Sequence, residues 1–425
     1  MKRTARDKND VIRPKPVQTI ELDEKPSRVH VIVFIGFLLL ALISIFFVIY
    51  SLVTKEEGWD TVSPSSSVGN CSSDFVFQYE FGRSELSASK ESKNLQAEYT
   101  TLTTQAYRLF NSDECFDGVY NPAYIATHAG EDIVVHPALY HALEALTENG
   151  GRYLYFAPIF SVYEDLFACA DDAMADIFDP YRQEDRMALI DAALASATDA
   201  DAISLYLLGD NTVRLQVRED YAAFLAQNEL PVIDLFWMKN AFIIDFLAEE
   251  LCAKGYHYGL LSCTDGFARA LCTDADTTYV LQLPAKEGDL TLVAAVASMD
   301  GMLSSVTLRS FPITSDDPFS YTYDNGQTRT AFISLTDGRS YASVDMLAML
   351  STQEGCADLA LAAYAWYAAD APDREALFAS CSTQRPCVVL EERVLYTSSS
   401  AIKLEQVYDT EPLRFTVQAM SDEQP

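Results

Sequence analysis

The sequence predicts an α+β fold, and three observations carry that expectation. Amphipathic helical patterns and short strand patterns are interleaved, with neither strict βαβ alternation nor an all-β run. Two hairpin signatures stand between apolar segments: Gly209-Asp210-Asn211 and Asp324-Asn325-Gly326. Roughly 330 residues then run on without a linker that would divide one core from another.

In chain order, residues 1–29 form a basic tail that contains Pro14, Pro16 and Pro26, a composition expected to be disordered and to serve either as a topology signal alone or also as a contact for anionic lipid. From Val31 to Val53 the chain carries no charge, and its hydroxyls are Ser44 and Ser51, apart from Tyr50. At ~1.5 Å per residue this run reaches ~34 Å as a helix, beyond the ~30 Å hydrocarbon core. A lone apolar segment spans lipid only as a helix, because every backbone polar group must find a partner within it. Residues 30–54 are therefore expected to be an uncleaved transmembrane anchor. A signal peptide has a shorter apolar core and a small-residue cleavage site, whereas this run ends in Leu52-Val53-Thr54-Lys55-Glu56. Lys2, Arg3, Arg6, Lys8, Arg13, Lys15, Lys25 and Arg28 precede the anchor, and Lys55 alone follows it as far as residue 70. That asymmetry keeps the N-terminus in the cytoplasm and puts the rest outside the cell membrane.

Residues 55–94 are rich in Ser, Gly and Asn and read as a stalk, with one strand-like piece at Phe75 to Tyr79. The main domain is expected over 95–400. Helices are predicted at 95–111, 136–147, 161–177, 184–197, 239–253, 355–368 and 373–380. Strands are predicted at 203–208 with 213–217, at 321–323 with 329–335, and at 279–283, 290–297 and 304–308. Residues 401–425 read as a closing strand and an acidic tail.

Of 62 acidic and 30 basic residues, the tail holds 5 and 8, so the outer part is near −35. Such a field repels phosphate backbones, and nucleic acid is excluded as a partner. The 9 cysteines all follow the anchor and form no CxxC pair, so they read as buried apolar residues or scattered disulfide partners.

The short motifs of acyl transfer, zinc hydrolysis and phosphate cradling are absent. His128, His136 and His141 cluster in sequence, but the last two are five apart and do not share a helical face. Asp274 and Asp276 lack the Gly and distal Glu of a calcium loop and read as a solvated turn. Trp366 and Tyr367 read as core residues.

Residues 95–370 nevertheless resemble the FAD:protein FMN transferases, the ApbE-like flavin transferases. Tyr107 to Ser112, Tyr120-Asn121-Pro122-Ala123-Tyr124-Ile125, the helix from His136, and Asn149-Gly150-Gly151-Arg152 to Ile159 follow that family's first half. Ile233-Asp234-Leu235-Phe236-Trp237-Met238-Lys239-Asn240-Ala241-Phe242-Ile243-Ile244-Asp245 stands where the family has L-D-L-G-G-I-A-K-G-Y-A-V-D. Both aspartates keep their spacing, Phe236 and Trp237 replace the two glycines, and Lys239 falls one position before the family lysine. Leu260 to Gly266 is similar to L-x-N-x-G-G-D and keeps Asp265. Phe332 to Gly338 is similar to H-I-L-D-P-x-T-G, with Phe332 for the histidine and Leu335 for the aspartate. Cys356 to Ala362 is similar to A-D-A-L-A-T, keeping Asp358 but placing Ala362 at the threonine.

The resemblance implies an ApbE-like flavin transferase fold with FAD and Mg2+ as its ligands. It implies Asp234, Lys239, Asp245 and Asp265 as cofactor-binding residues and Asp358 as the metal ligand, and it leaves no catalytic residue assigned. Glycines at such a turn let backbone approach a pyrophosphate, and aromatic rings fill that space instead. Two functions follow as expectations. One is a degenerate member that binds or scaffolds within an envelope assembly. The other is an active Mg2+-dependent transferase that flavinylates an exported partner protein.

Overall fold

The computed structural model describes residues 56–425 apart from 149–151, 273–277, 289, 314–316, 371–372, 409–412 and 420–425, together with a few positions between 32 and 44. The chain divides into two units, Met1–Lys55 and Glu56–Pro425. The expected anchor at 31–53 lies almost wholly outside the described residues. Among the described residues no helix is long and apolar enough to cross a membrane. Asp274 and Asp276 also lie outside them.

In the second unit, β1 (Gly58–Thr61) and β2 (Phe75–Phe81) precede α1 (Ala88–Leu109). Then come α2 (Pro122–Thr127), β3 (Ile133–Val134), α3 (Pro137–Glu148), α4 (Ala157–Phe167), α5 (Asp172–Phe178) and α6 (Glu184–Ala197). The hairpin β4 (Ile203–Gly209) and β5 (Thr212–Val217) leads to α7 (Glu219–Gln227) and α8 (Lys239–Ala253). Next are β6 (Gly259–Cys263), β7 (Phe267–Ala270), β8 (Val280–Glu287), β9 (Leu290–Ser298), β10 (Ser304–Arg309), β11 (Ser320–Thr322), β12 (Thr328–Thr330) and β13 (Met346–Ser351). The unit closes with α9 (Cys356–Tyr367), α10 (Arg374–Ser380), β14 (Cys387–Glu391), β15 (Val394–Thr397), β16 (Lys403–Gln406) and β17 (Thr416–Ala419).

The architecture is α+β. A nine-stranded sheet has the order β1-β2-β6-β7-β10-β13-β14-β15-β17. Its pairs are antiparallel except for β15 with β17. Smaller sheets are β16-β9-β8, β3-β5-β4 and β11-β12. Strands β10 and β13 are buried along their whole length, because the sheet has a core on each face. With a side-chain period of 2, Leu347 and Met349 face the helical core with Val306 and Leu308, and Met346, Ala348 and Leu350 face a second core with Leu283, Ala285 and Ala295 of β8 and β9. Helix α8 is apolar nearly all round and is accordingly buried, packing on α1, α9 and β7.

Two expectations need correction. Residues 55–94 are not simply a stalk, since β1 and β2 belong to the main sheet. Phe75, Phe77, Tyr79 and Phe81 alternate inward, and β6 supplies a pairing edge with Phe77 opposite Leu261. Glu91, 1% exposed, is anchored there by the Tyr79 hydroxyl and the Gly82 N–H, each donating at 3.0 Å. The helix expected over 161–177 is two helices, because Asp171 accepts the Met174 N–H at 2.8 Å and starts α5 afresh. Tyr367 is fully buried, its hydroxyl donating to the Val344 carbonyl at 3.0 Å, whereas Trp366 packs at the margin of that core.

Candidate functional site

The site grows from the turn that enters α8. Asp234 fixes that turn, accepting the Leu235 N–H at 2.6 Å and the Ser112 hydroxyl at 2.5 Å. Phe236–Met238 then makes one 3-10 turn, and Phe236 sits at φ +51°, in the left-handed region that bulky residues avoid. Its ring stacks on Phe160, centroids 3.9 Å apart and planes inclined by 24°. Trp237 is 4% exposed, stacked on Tyr364 at 5.1 Å and meeting Phe332 edge-on at 5.3 Å.

Beside this turn opens a cleft of about 840 Å³. Its walls include Asp74, Asp113, Glu164, Glu229, Asp234 and Asp265, and among the described lining residues Lys239 is the one cation. Burial pushes the Asp265 carboxyl up to about 6, opposed by the Asn240 amide, which donates to it at 2.5 Å, and by the Arg309 charge. A separate cavity of about 720 Å³ lies against Trp59, Leu260, Phe267, Leu281 and Leu292, and none of Asp234, Lys239, Asp245, Asp265 and Asp358 lines it.

No family model matches the chain, and no curated protein matches it. Solved structures do. The ApbE protein of Thermotoga maritima aligns at 11% identity over 82% of this chain and 96% of that one, with a TM-score of 0.52. The flavin transferase ApbE of Vibrio cholerae aligns at 12% identity over 83% and 97%, with a TM-score of 0.50. The fold is ApbE-like.

On this ApbE-like fold the five residues singled out in the sequence separate into two groups. Asp234, Lys239 and Asp265 line one cleft. Asp245 does not: it lies inside the helical layer and caps α9, accepting the Cys356 and Ala357 N–H groups at 2.9 Å each, beside Arg269 at 3.0 Å. Burial pushes its carboxyl up to about 6, with Arg269 and the two N–H groups opposing. Asp358 is exposed on the first turn of α9 and lines none of these cavities. Phe332, at the expected histidine position, is buried against Trp237 and Tyr367. The three histidines are not one site: His128 stacks on Tyr124, His136 meets Phe246 edge-on, and His141 pairs with Glu144.

The turn does not fit the close backbone approach of a pyrophosphate that the resemblance implies. That turn holds a phenyl ring on a second phenyl ring, and the charged groups lining the cleft are carboxylates apart from Lys239, a balance that disfavours a polyanion. Among the described residues no group of three His, Cys, Asp or Glu side chains is placed to hold a metal ion. Asp74, Asp113, Glu164, Glu229 and Asn240 were not legible as site residues. Asn240 stands next to Lys239 in the quoted segment but was given no role there, and the four carboxylates come from other stretches of the chain that no motif links.

Proposed function

We propose that this protein binds or scaffolds through an ApbE-like domain on the outer side of a cell membrane, within an envelope assembly, and does not transfer FMN. The observation that carries the reading is Phe236, which keeps the backbone conformation of a glycine while filling the turn with its ring. The carboxylate lining of the cleft supports it, and so does the exposed position of Asp358 on α9. The uncharged run at 31–53 and the basic residues before it support a single-pass anchor with a cytoplasmic N-terminus.

The test is thermal denaturation of the purified chain with FAD and Mg2+. A ligand that binds only the native state adds ~2.7 kcal/mol at 100 times its Kd. The reading expects no shift, a colourless protein, and no effect of Asp358→Ala on either result. A Mg2+-dependent shift of that size, lost in Asp358→Ala, would establish the alternative of an active transferase that flavinylates an exported partner.

A further inference from the structure

Away from the cleft, the segment from α10 to β14 brings two thiols together. The Cys381 and Cys387 sulfurs are in hydrogen-bond contact at 3.4 Å, and a disulfide needs ~2.05 Å between them. The loop holds this approach by its own backbone. Ser382 and Arg385 exchange N–H to carbonyl bonds at 3.2 Å in both directions. The Arg385 guanidinium donates to the Ser380 carbonyl at 3.3 Å and to Glu354 at 3.2 Å. Cys387 is fixed from the other side, its N–H donating to the Ser398 hydroxyl at 2.8 Å within the main sheet.

The two sulfurs are not equivalent. Cys387 is fully buried in the helical core, whereas Cys381 is partly exposed. Exchange with a solute can therefore begin at Cys381 and not at Cys387. The Cys381 thiol is held down to about 7 by its contact with Cys387, helped by Ser398 and Arg385, while Cys387 is held well above the usual thiol range. Near neutral pH the exposed sulfur is thus the thiolate that attacks.

We infer that Cys381 and Cys387 form an intramolecular disulfide by exchange with a disulfide-bearing oxidant, which closes the loop between α10 and β14. The Cys381 thiolate attacks one sulfur of the oxidant, breaking its S–S bond and releasing one thiolate. Cys387 then attacks Cys381 Sγ as its proton passes to the departing sulfur, releasing the other half of the oxidant as a thiol. Two protein thiols are oxidised, and the oxidant is reduced to two thiols.

The experiment uses the purified full chain, oxidised glutathione, alkylation without reductant, and tryptic mapping. Both cysteines fall in the peptide 375–393, because Arg385 precedes Pro386 and is not cleaved. The expected peptide lacks two hydrogens and carries no alkyl group, and it takes two alkyl groups after reduction. Alkylation of both cysteines after oxidation, or glutathione retained on Cys381 of the unaltered chain, would overturn the inference. In Cys387→Ala, glutathione should remain on Cys381. In Cys381→Ala, Cys387 should stay unmodified until the chain is denatured, and its modification in the native state would overturn the proposed order.

Discussion

Replacing Phe236 separately by glycine and by alanine distinguishes backbone strain from ring packing. At φ +51° a residue with a Cβ carries roughly 1–2 kcal/mol of strain that glycine lacks. Both replacements lose the stack on Phe160, which is worth about 0.5–1.5 kcal/mol beyond its buried area. The ring is only half-buried, so strain relief offsets much of the loss and Phe236→Gly should lie within about 1 kcal/mol of the parent. Phe236→Ala keeps the strain and loses the ring, and should be about 1 kcal/mol less stable than Phe236→Gly. At a relaxed position the order is the reverse, glycine being worse than alanine by roughly 0.5–1 kcal/mol. Trp237→Ala should cost about 3–5 kcal/mol, because that ring is buried among Tyr364, Phe267 and Phe332. Urea denaturation reads all three as midpoint shifts at constant slope. An alanine variant as stable as the glycine variant would refute the strain argument.

Stability should also depend on pH in an unusual direction. The folded Asp245 and Asp265 carboxyls stand at about 6, above their value of ~3.9 in the unfolded chain, so the native state holds more protons between those values. Their contribution is complete below about pH 4 and is lost as pH rises through 6, by roughly 3 kcal/mol each. Urea midpoints across that window should fall with rising pH, and Asp265→Asn should flatten the slope. Asp179→Ala should cost about 3–5 kcal/mol, because it strands the buried Arg329 guanidinium whose Nη2 lies 3.1 Å from the Asp179 carboxylate. A loss under 1 kcal/mol in the same assay would contradict this.

Much of the fold was legible because periodicity is local. The patterns at 184–197 and 239–253 coincide with α6 and α8, and the hairpin at Gly209-Asp210-Asn211 is β4 and β5, with Asp210 and Asn211 both at positive φ. What periodicity does not carry was missed. The strand expected over 329–335 stops at Thr330, because Ser334 turns the chain and its carbonyl accepts the Gly338 N–H at 2.9 Å. At the site, the family resemblance implied Asp234, Lys239 and Asp245 alike; the first two line one cleft, but Asp245 serves a helix end 111 residues away. The acidity of the cleft was illegible, since Asp74, Asp113, Glu164 and Glu229 meet only once the chain is folded.

The two borders of the nine-stranded sheet have a consequence for how the molecule is made. One flank of β15 is covered by β17, yet between them the chain leaves to place β16 against β9 in the other sheet. During synthesis β15 therefore waits with an open ladder until Thr416–Ala419 has emerged, and any chain stopped short of it presents that ladder to its neighbours. An open strand flank is a template for pairing between molecules. In the complete sheet β17 is the border, so a chain lacking Thr416–Ala419 offers the flank of β15 in its place, and such a truncation should be read by light scattering before any loss of binding is attributed to the cleft.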